Sequence, residues 1–221
     1  MRLWRATLIL MILAVSGVLP ACQGVRTEVQ GSGTLVSESR TVSGFDWIEV
    51  SGPGVISVTR GNAESLAIEA EDNILAVLTT EVEGNRLKLG HEPFTNIIPT
   101  RPITYRITVP ELRGVSISGS GDATVAVVNQ DRFEVVISGS GSVTPSGTTD
   151  GLSVDISGSG RFQGEGLMAT VGDVSVSGSG SAIVNVLEDL TASVSGSGQI
   201  VYIGEPVLNR NISGSGSITQ R

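Results

Sequence analysis

Ile117-Ser118-Gly119-Ser120-Gly121 is the stretch whose reading decides the fold. An aliphatic residue followed by Ser-Gly-Ser-Gly returns at 137–141, 156–160, 176–180, 194–198 and 212–216, so successive copies lie 18 to 20 residues apart. A fixed period in that range is the signature of a solenoid, in which each repeat is one supersecondary unit stacked on the last. Side chains of an extended chain alternate between faces. Val115, Ile117, Gly119, Gly121, Ala123 and Val125 therefore share one face, and Ser116, Ser118, Ser120 and Asp122 share the other. The second and fourth copies divide the same way. One face is aliphatic and then bare; the opposite face is a row of hydroxyls.

A flexible Gly/Ser linker would not carry Val and Ile at fixed phase beside its glycines, and β-branched residues favour strands. Burial of each Val or Ile is worth roughly 1.5–3 kcal/mol. Gly inside a strand costs on the order of 0.5–1 kcal/mol relative to Ala, and every copy carries two glycines. A repeat that retains this cost needs a bend, a positive φ or a close backbone approach at that point. Ser-Gly-Ser-Gly is thus expected to be the narrow edge of a coil, where the chain turns and the lumen has no room for side chains. Stacking coils about 4.8 Å apart aligns the copies into columns. Ser118, Ser138, Ser157, Ser177, Ser195 and Ser213 form one column, and Ser120, Ser140, Ser159, Ser179, Ser197 and Ser215 the next. Two readings fit these hydroxyls. They bond to one another or to water, serine being a common turn residue, or they form a flat array that docks a repetitive ligand such as a glycan or another cell's surface.

Residues 1–21 read as a targeting segment. Arg2 and Arg5 precede an apolar run at 6–18, short for a membrane-spanning helix. Leu19-Pro20-Ala21-Cys22 resembles the lipobox of bacterial lipoproteins, with Pro20 an unusual filler. That resemblance implies cleavage before Cys22 and a diacylglycerol on its thiol. It implies a lipid-anchored cell-envelope protein, and the outer membrane is expected because Gln23 and Gly24, not Asp, follow the cysteine. The alternative is an ordinary signal peptide followed by an incidental cysteine. Cys22 is the chain's one cysteine, which excludes an intramolecular disulfide.

Residues 22–41 read as a tether and the start of a first strand at 33–42. Phe45, either Trp47 or Ile48, and Val50 are available for burial. Val50-Ser51-Gly52-Pro53-Gly54 is a degenerate seventh copy of the phrase. Pro53 has no N–H to give a ladder, so this copy belongs at an edge or corner. Strands are expected at 55–59 and 65–69, joined by a turn at 60–62. The spacing of Ile74, Leu75 and Leu78 predicts a short helical turn with Asp72 as its N-cap. The segments 80–82 and 86–89 flank Glu83-Gly84-Asn85 as a hairpin. The proline-rich stretch 91–101 reads as a loop. Ile103, Tyr105, Ile107 and Val109 then alternate as a strand. Within the repeats, 164–168 and 187–190 read as loops.

Several of these motifs occur in an order that resembles a known family. They are Val42-Ser43-Gly44-Phe45-Asp46-Trp47-Ile48-Glu49-Val50-Ser51-Gly52-Pro53-Gly54, Thr80-Glu81-Val82-Glu83-Gly84-Asn85-Arg86-Leu87, Ile107-Thr108-Val109-Pro110-Glu111-Leu112 and the Ser-Gly-Ser-Gly ladder. Together they resemble the head GIN domain family, described as auto-transporter adhesins. The resemblance runs from Val42 to the C-terminus and implies a β-helix-like fold in a secreted or surface protein. It brings no catalytic residues with it.

The composition bounds the function. Only 16% of residues are charged, yet 39% are hydrophobic, which describes a folded β-rich chain and not a disordered one. A formal charge of −8 argues against nucleic acid as a partner. The single histidine, His91, has no convergent partners for metal or nucleophile chemistry. Glu69, Glu71 and Asp72 lack calcium-loop spacing and read as a solvated face, as does Glu188-Asp189. A β-helix glycan-cleaving enzyme gathers carboxylates at one place, whereas Asp122, Asp155, Asp173 and Arg161 fall on different coils.

The expected architecture is all-β: a parallel β-helix-like solenoid of about six coils over 115–221, with an irregular β cap over 42–114. No catalytic residue, metal or cofactor is expected. The expected function is that of a non-catalytic, lipid-anchored adhesin or surface-binding module whose partner is a glycan or an envelope protein. The alternatives are an envelope scaffold or sensor that binds one protein partner and, further off, a glycan-cleaving enzyme. The final coil is expected either to be blunted by Asn209, Arg210, Gln220 and Arg221 or to serve as a docking edge for another copy of the chain or a partner strand.

Overall fold

Alternation delivers an aliphatic side chain to the inner face at every second position. The structure, a computed structural model describing residues 27–126 and 130–221, rolls that face into a lumen. Cys22 and the expected targeting segment at 1–21 lie outside the described residues. The first half supplies β1 (Thr27–Gln30), β2 (Leu35–Arg40), β3 (Trp47–Ser51), β4 (Val55–Arg60), β5 (Ser65–Glu71), α1 (Asp72–Leu75), β6 (Leu78–Glu83), β7 (Arg86–His91), β8 (Thr95–Ile98) and β9 (Thr104–Val109). The second half supplies β10 (Gly114–Gly119), β11 (Asp122–Ala126), β12 (Gln130–Gly139), β13 (Ser142–Gly158), β14 (Arg161–Gly178), β15 (Ser181–Gly196), β16 (Gln199–Ile203), β17 (Val207–Gly214) and β18 (Ser217–Gln220).

Two parallel ladders run the length of the molecule. One stacks β7, β3, β10 and β12, then the C-terminal parts of β13, β14 and β15, and ends on β17. The other stacks β9, β4 and β11, then the N-terminal parts of β13, β14 and β15, and ends on β16 and β18. Register turns the repeat into lumen columns. Val50, Ile117, Ile137, Ile156, Val176 and Val194 form one, all buried. In another, Val143, Phe162 and Ala182 stack, and the small alanine leaves room for the ring, as close packing requires.

Each Ser-Gly-Ser-Gly phrase is the corner between the two ladders. Six corners enclose about five complete turns, one fewer than a count of phrases suggests, because the last phrase closes no further turn. The degenerate copy at Val50-Ser51-Gly52-Pro53-Gly54 is a corner too, joining β3 to β4, with Gly52 at φ +114. Below it the ladders stop being parallel. β6 runs antiparallel on β7, β5 antiparallel on β9, and β2 antiparallel on β5. These reversals cover the first parallel strands, which would otherwise present open edges. The 83–86 hairpin forms with Glu83 opposite Arg86. Trp47 and Ile48 are both buried, on opposite faces of β3.

Four local expectations need correction. The stretch 91–101 is not all loop: β8 lies between Pro93 and Pro99 and pairs in parallel with β1, inside the supposed tether. Its partner is 68 residues away, from Thr27 to Thr95, so no local signal announces the pairing. The stretches 164–168 and 187–190 are not loops but parts of β14 and β15, where the ladder shifts register between Gly164 and Met168 and across the break at Ala169/Val171. Neighbours on either side hold the ladder, so the extra residues are absorbed as bulges. The helical turn forms, but its N-cap is Glu71 and not Asp72.

Glu71 also leaves the solvated face assigned to it. It is 1% exposed, and its carboxylate accepts bonds from the Gly33 N–H at 2.7 Å, the Thr100 N–H at 2.9 Å and the Thr100 hydroxyl at 2.5 Å. The Thr100 hydroxyl is the main reason its pKa is held below the ordinary carboxylate value; burial opposes this and the backbone N–H groups reinforce it. Glu71 thereby ties the N-terminal arm to the 99–101 segment.

Candidate functional site: a ridge of stacked hydroxyls

The corner is built by glycine in two different ways. The first glycine of each phrase holds a positive φ, from +110 at Gly178 to +136 at Gly139. A Cβ at Gly139 would stand 2.5 Å from the Gly119 carbonyl oxygen of the coil before, and one at Gly178 would stand 2.7 Å from that of Gly158. The second glycine points inward. A Cβ at Gly180 would meet Ile156 Cγ2 at 2.6 Å. Side chains are thus excluded from both positions, and the backbones of successive coils lie directly on one another.

One hydrogen-bond pattern repeats at every level. The N–H of Ser140 donates to Gly119 O at 2.8 Å, Ser159 to Gly139 O at 2.9 Å, Ser179 to Gly158 O at 2.9 Å, Ser197 to Gly178 O at 2.8 Å and Ser215 to Gly196 O at 2.8 Å. The next residues repeat a second pattern, as when Arg161 N–H donates to Gly141 O and Ser181 N–H to Gly160 O, both at 3.0 Å. A corner locked in this way fixes where its serine side chains start.

Register aligns the first column directly: Ser118 with Ser138, Ser157, Ser177, Ser195 and Ser213. It also adds Ser51 at the foot, opposite Ser118. The repeated corner bonds stack Ser120, Ser140, Ser159, Ser179, Ser197 and Ser215 beside it. All twelve serines of the two columns are exposed. Among the described residues, none of their hydroxyls bonds to a protein group. A third line of polar residues follows on the second ladder, where Asp122 is aligned with Ser142, Arg161, Ser181, Gln199 and Ser217. The Ser142 hydroxyl donates to Asp122 at 2.5 Å. The result is a ridge of polar side chains, most of them short, on a hydrogen-bonded backbone. The imidazole of His91 packs at its base, where a Cβ on Gly52 would stand 3.6 Å from His91 Cδ2.

The carboxylates do not converge on the ridge. Asp155 and Asp173 stand on different strand rows, facing Ser175 and Ser153 in register. Among the described residues no three His, Cys, Asp or Glu side chains come close enough to hold a metal ion.

A second feature was not legible in the sequence. A cleft of about 440 Å³ lies on the outer face near the cap, lined by Trp47, Arg86, Arg113, Arg132, Glu111 and Glu134. Arg86 sits 4.2 Å from the Trp47 ring centroid, and a Cβ on Gly114 would stand 2.6 Å from Trp47 Cη2. Gly114 is bare because the indole lies across it. Arg113 pairs with Asp46 at 3.2 Å and Glu111 at 3.4 Å. Cationic and anionic groups are mixed in this cleft, so it favours no single ligand charge.

These features define a class: a capped parallel β-solenoid that presents one continuous polar ridge. The chain belongs to the head GIN domain family, whose sequence model, described as "Putative auto-transporter adhesin, head GIN domain", matches residues 44–206. Its fold is shared with several solved structures. A protein of Bacteroides fragilis, described as a putative adhesin, is 24% identical with a TM-score of 0.71, over 87% of this chain and all of that one. A protein of Parabacteroides distasonis, described as a putative lipid binding protein, is 22% identical with a TM-score of 0.56, over 88% of this chain and all of that one. A putative adhesin of Parabacteroides merdae is 16% identical with a TM-score of 0.56, over 88% and 99% of the two chains. At these identities the likeness is one of fold. No curated protein matches the chain.

Proposed function

We propose that the protein is a non-catalytic binding module of the bacterial cell envelope, lipid-anchored at Cys22 to the outer membrane, and that the serine ridge is its binding surface. The observation that carries this reading is the in-register stacking of exposed hydroxyls along a backbone held by repeated hydrogen bonds at every corner. A single neutral hydrogen bond exchanged against water is worth only about 0.5–1.5 kcal/mol. Affinity from hydroxyls therefore comes from repetition on a preorganised frame. A polymer with regularly repeated hydroxyls, such as a glycan, could engage one level after another, the levels lying about 4.8 Å apart. The adhesin description of the family agrees with this role. Scattered carboxylates make the ridge poor acid–base material, which disfavours glycan cleavage.

Two experiments test the reading. The purified protein is presented to a panel of immobilised bacterial and host polysaccharides, in parallel with a pull-down of envelope proteins. Binding to polysaccharide supports the ridge; a single protein partner with no polysaccharide binding favours the scaffold or sensor role. For the anchor, Cys22→Ser is expected to leave an uncleaved or soluble protein on detergent partitioning, because acyl chains are what hold the domain to the bilayer. Unchanged membrane association of a Cys22→Ser protein whose residues 1–21 have been cleaved off contradicts the lipid anchor.

A further inference from the structure

Phe94 stands out on the cap. It lies on the turn between β7 and β8, is 74% exposed, and holds φ +62. Among the described residues it is the one non-glycine residue with a positive φ. L-residues disfavour that conformation, and a side chain kept there is held by its surroundings. The turn is pinned on both sides: Glu92 N–H donates to Val77 O at 2.9 Å, and Thr95 N–H to Glu92 O at 3.2 Å. Pro93, beside Phe94, is also exposed. The fold thus holds an aromatic ring out in solvent, in a conformation that glycine would adopt more easily.

The position of the turn says what the ring faces. Thr27 N–H donates to the Phe94 carbonyl at 3.0 Å. Thr27 follows Cys22 by five residues, a reach of at most about 18 Å even when fully extended. A lipid on Cys22 would therefore hold the Phe94 turn within roughly that reach of the bilayer. The headgroup boundary of a bilayer is where exposed aromatic rings settle. Among the described residues, the exposed charges next to the turn are Glu28 and Glu92, both anionic.

We infer that Phe94 is a membrane-contacting residue, seated in the headgroup boundary as a second point of attachment beside the Cys22 anchor. The inference rests on the lipid-anchor reading. One ring alone binds a membrane weakly, but the anchor holds it at high local concentration, so a weak contact suffices to orient the domain. With the cap against the bilayer, the solenoid points away from it. β17 lies seven strand spacings from β7, roughly 34 Å, so the ridge extends outward from the surface.

The test uses the full acylated protein in vesicles of phosphatidylethanolamine and phosphatidylglycerol, with or without brominated acyl chains. Phe94→Trp adds a fluorophore at the turn; Val207→Trp adds one on β17 at the far end, where Val207 is 75% exposed. The added Phe94→Trp emission should shift to the blue and be lost in brominated vesicles, while that of Val207→Trp should be unaffected. The mass of the N-terminal peptide from the same preparation reports acylation. Acylated protein whose Phe94→Trp emission is unquenched overturns the membrane contact and leaves the anchor standing. Unacylated protein overturns the anchor, and an unquenched emission from it overturns the contact as well. Phe94→Gly should melt no lower than the parent, since glycine adopts this φ freely. A large fall in Tm would make Phe94 a structural residue and overturn the inference.

Discussion

Gly84 in the cap and Gly139 on the ridge both hold positive φ, +61 and +136, but for different reasons. Around Gly84 the space is open, and a Cβ would meet nothing within 4 Å. Gly84 serves one hairpin turn. At Gly139 a Cβ would run into the backbone of the preceding coil. The cap is assembled from singular contacts: Glu71 with Gly33 and Thr100, Trp47 over Gly114, β1 with β8. The ridge is assembled from one contact made over and over. Damage to a cap residue should therefore stay local, whereas damage to a ridge glycine should spread through the stack.

The largest expected effect is at the ridge glycines. Gly139→Val and Gly178→Val should each cost more than about 3 kcal/mol, since backbone strain adds to the roughly 1–3 kcal/mol of overpacking. Urea melts measure this, and a variant as stable as the parent would break the stacked-corner account.

Next comes Glu71. Its folded pKa lies below the ordinary value of 4.5, so its contribution is present above that pH and is lost as pH falls through the folded pKa. Hydrogen exchange at the amides of Gly33 and Thr100 should quicken on acidification while the solenoid amides stay protected. In Glu71→Gln the fast exchange should be present already at neutral pH. Uniform loosening of the whole chain would show that cap and stack unfold as one unit.

Gly84→Ala should cost less, about 1–2 kcal/mol from the left-handed conformation alone, with melts as the readout. A cost matching that of Gly139→Val would erase the distinction between open and stacked glycines. Ser138→Ala is the smallest, about 1 kcal/mol or less, because its hydroxyl bonds to no protein group among the described residues.

The contrast between the regions also explains what could be read in advance. Ile117-Ser118-Gly119-Ser120-Gly121 and its copies were legible because repetition states the same constraint six times. Both the corner and the serine columns follow from parity and period alone. The cap states each constraint once. Glu71 looks like any acid in an acidic cluster until Gly33 and Thr100 are brought to it from 38 and 29 residues away. β8 is four residues between prolines, and its partner lies in the N-terminal arm. Trp47 and Gly114 are partners only because β3 and β10 lie side by side. Long-range pairing without a period leaves no pattern in the sequence. Phe94 was hidden for a further reason, since neither its φ nor its exposure has a sequence signature.

On the proposed function, the ridge binds and the rest of the molecule holds it in register. The most direct measurement compares the parent with a variant in which Ser138, Ser157, Ser177 and Ser195 are all alanine. Both are melted in urea and both are titrated against the polysaccharide that binds the parent best. The account predicts a melt close to the parent's, because these hydroxyls are exposed, together with loss of polysaccharide binding. Unchanged binding by a folded variant would contradict it, and would assign those hydroxyls to solvating a glycine-rich corner.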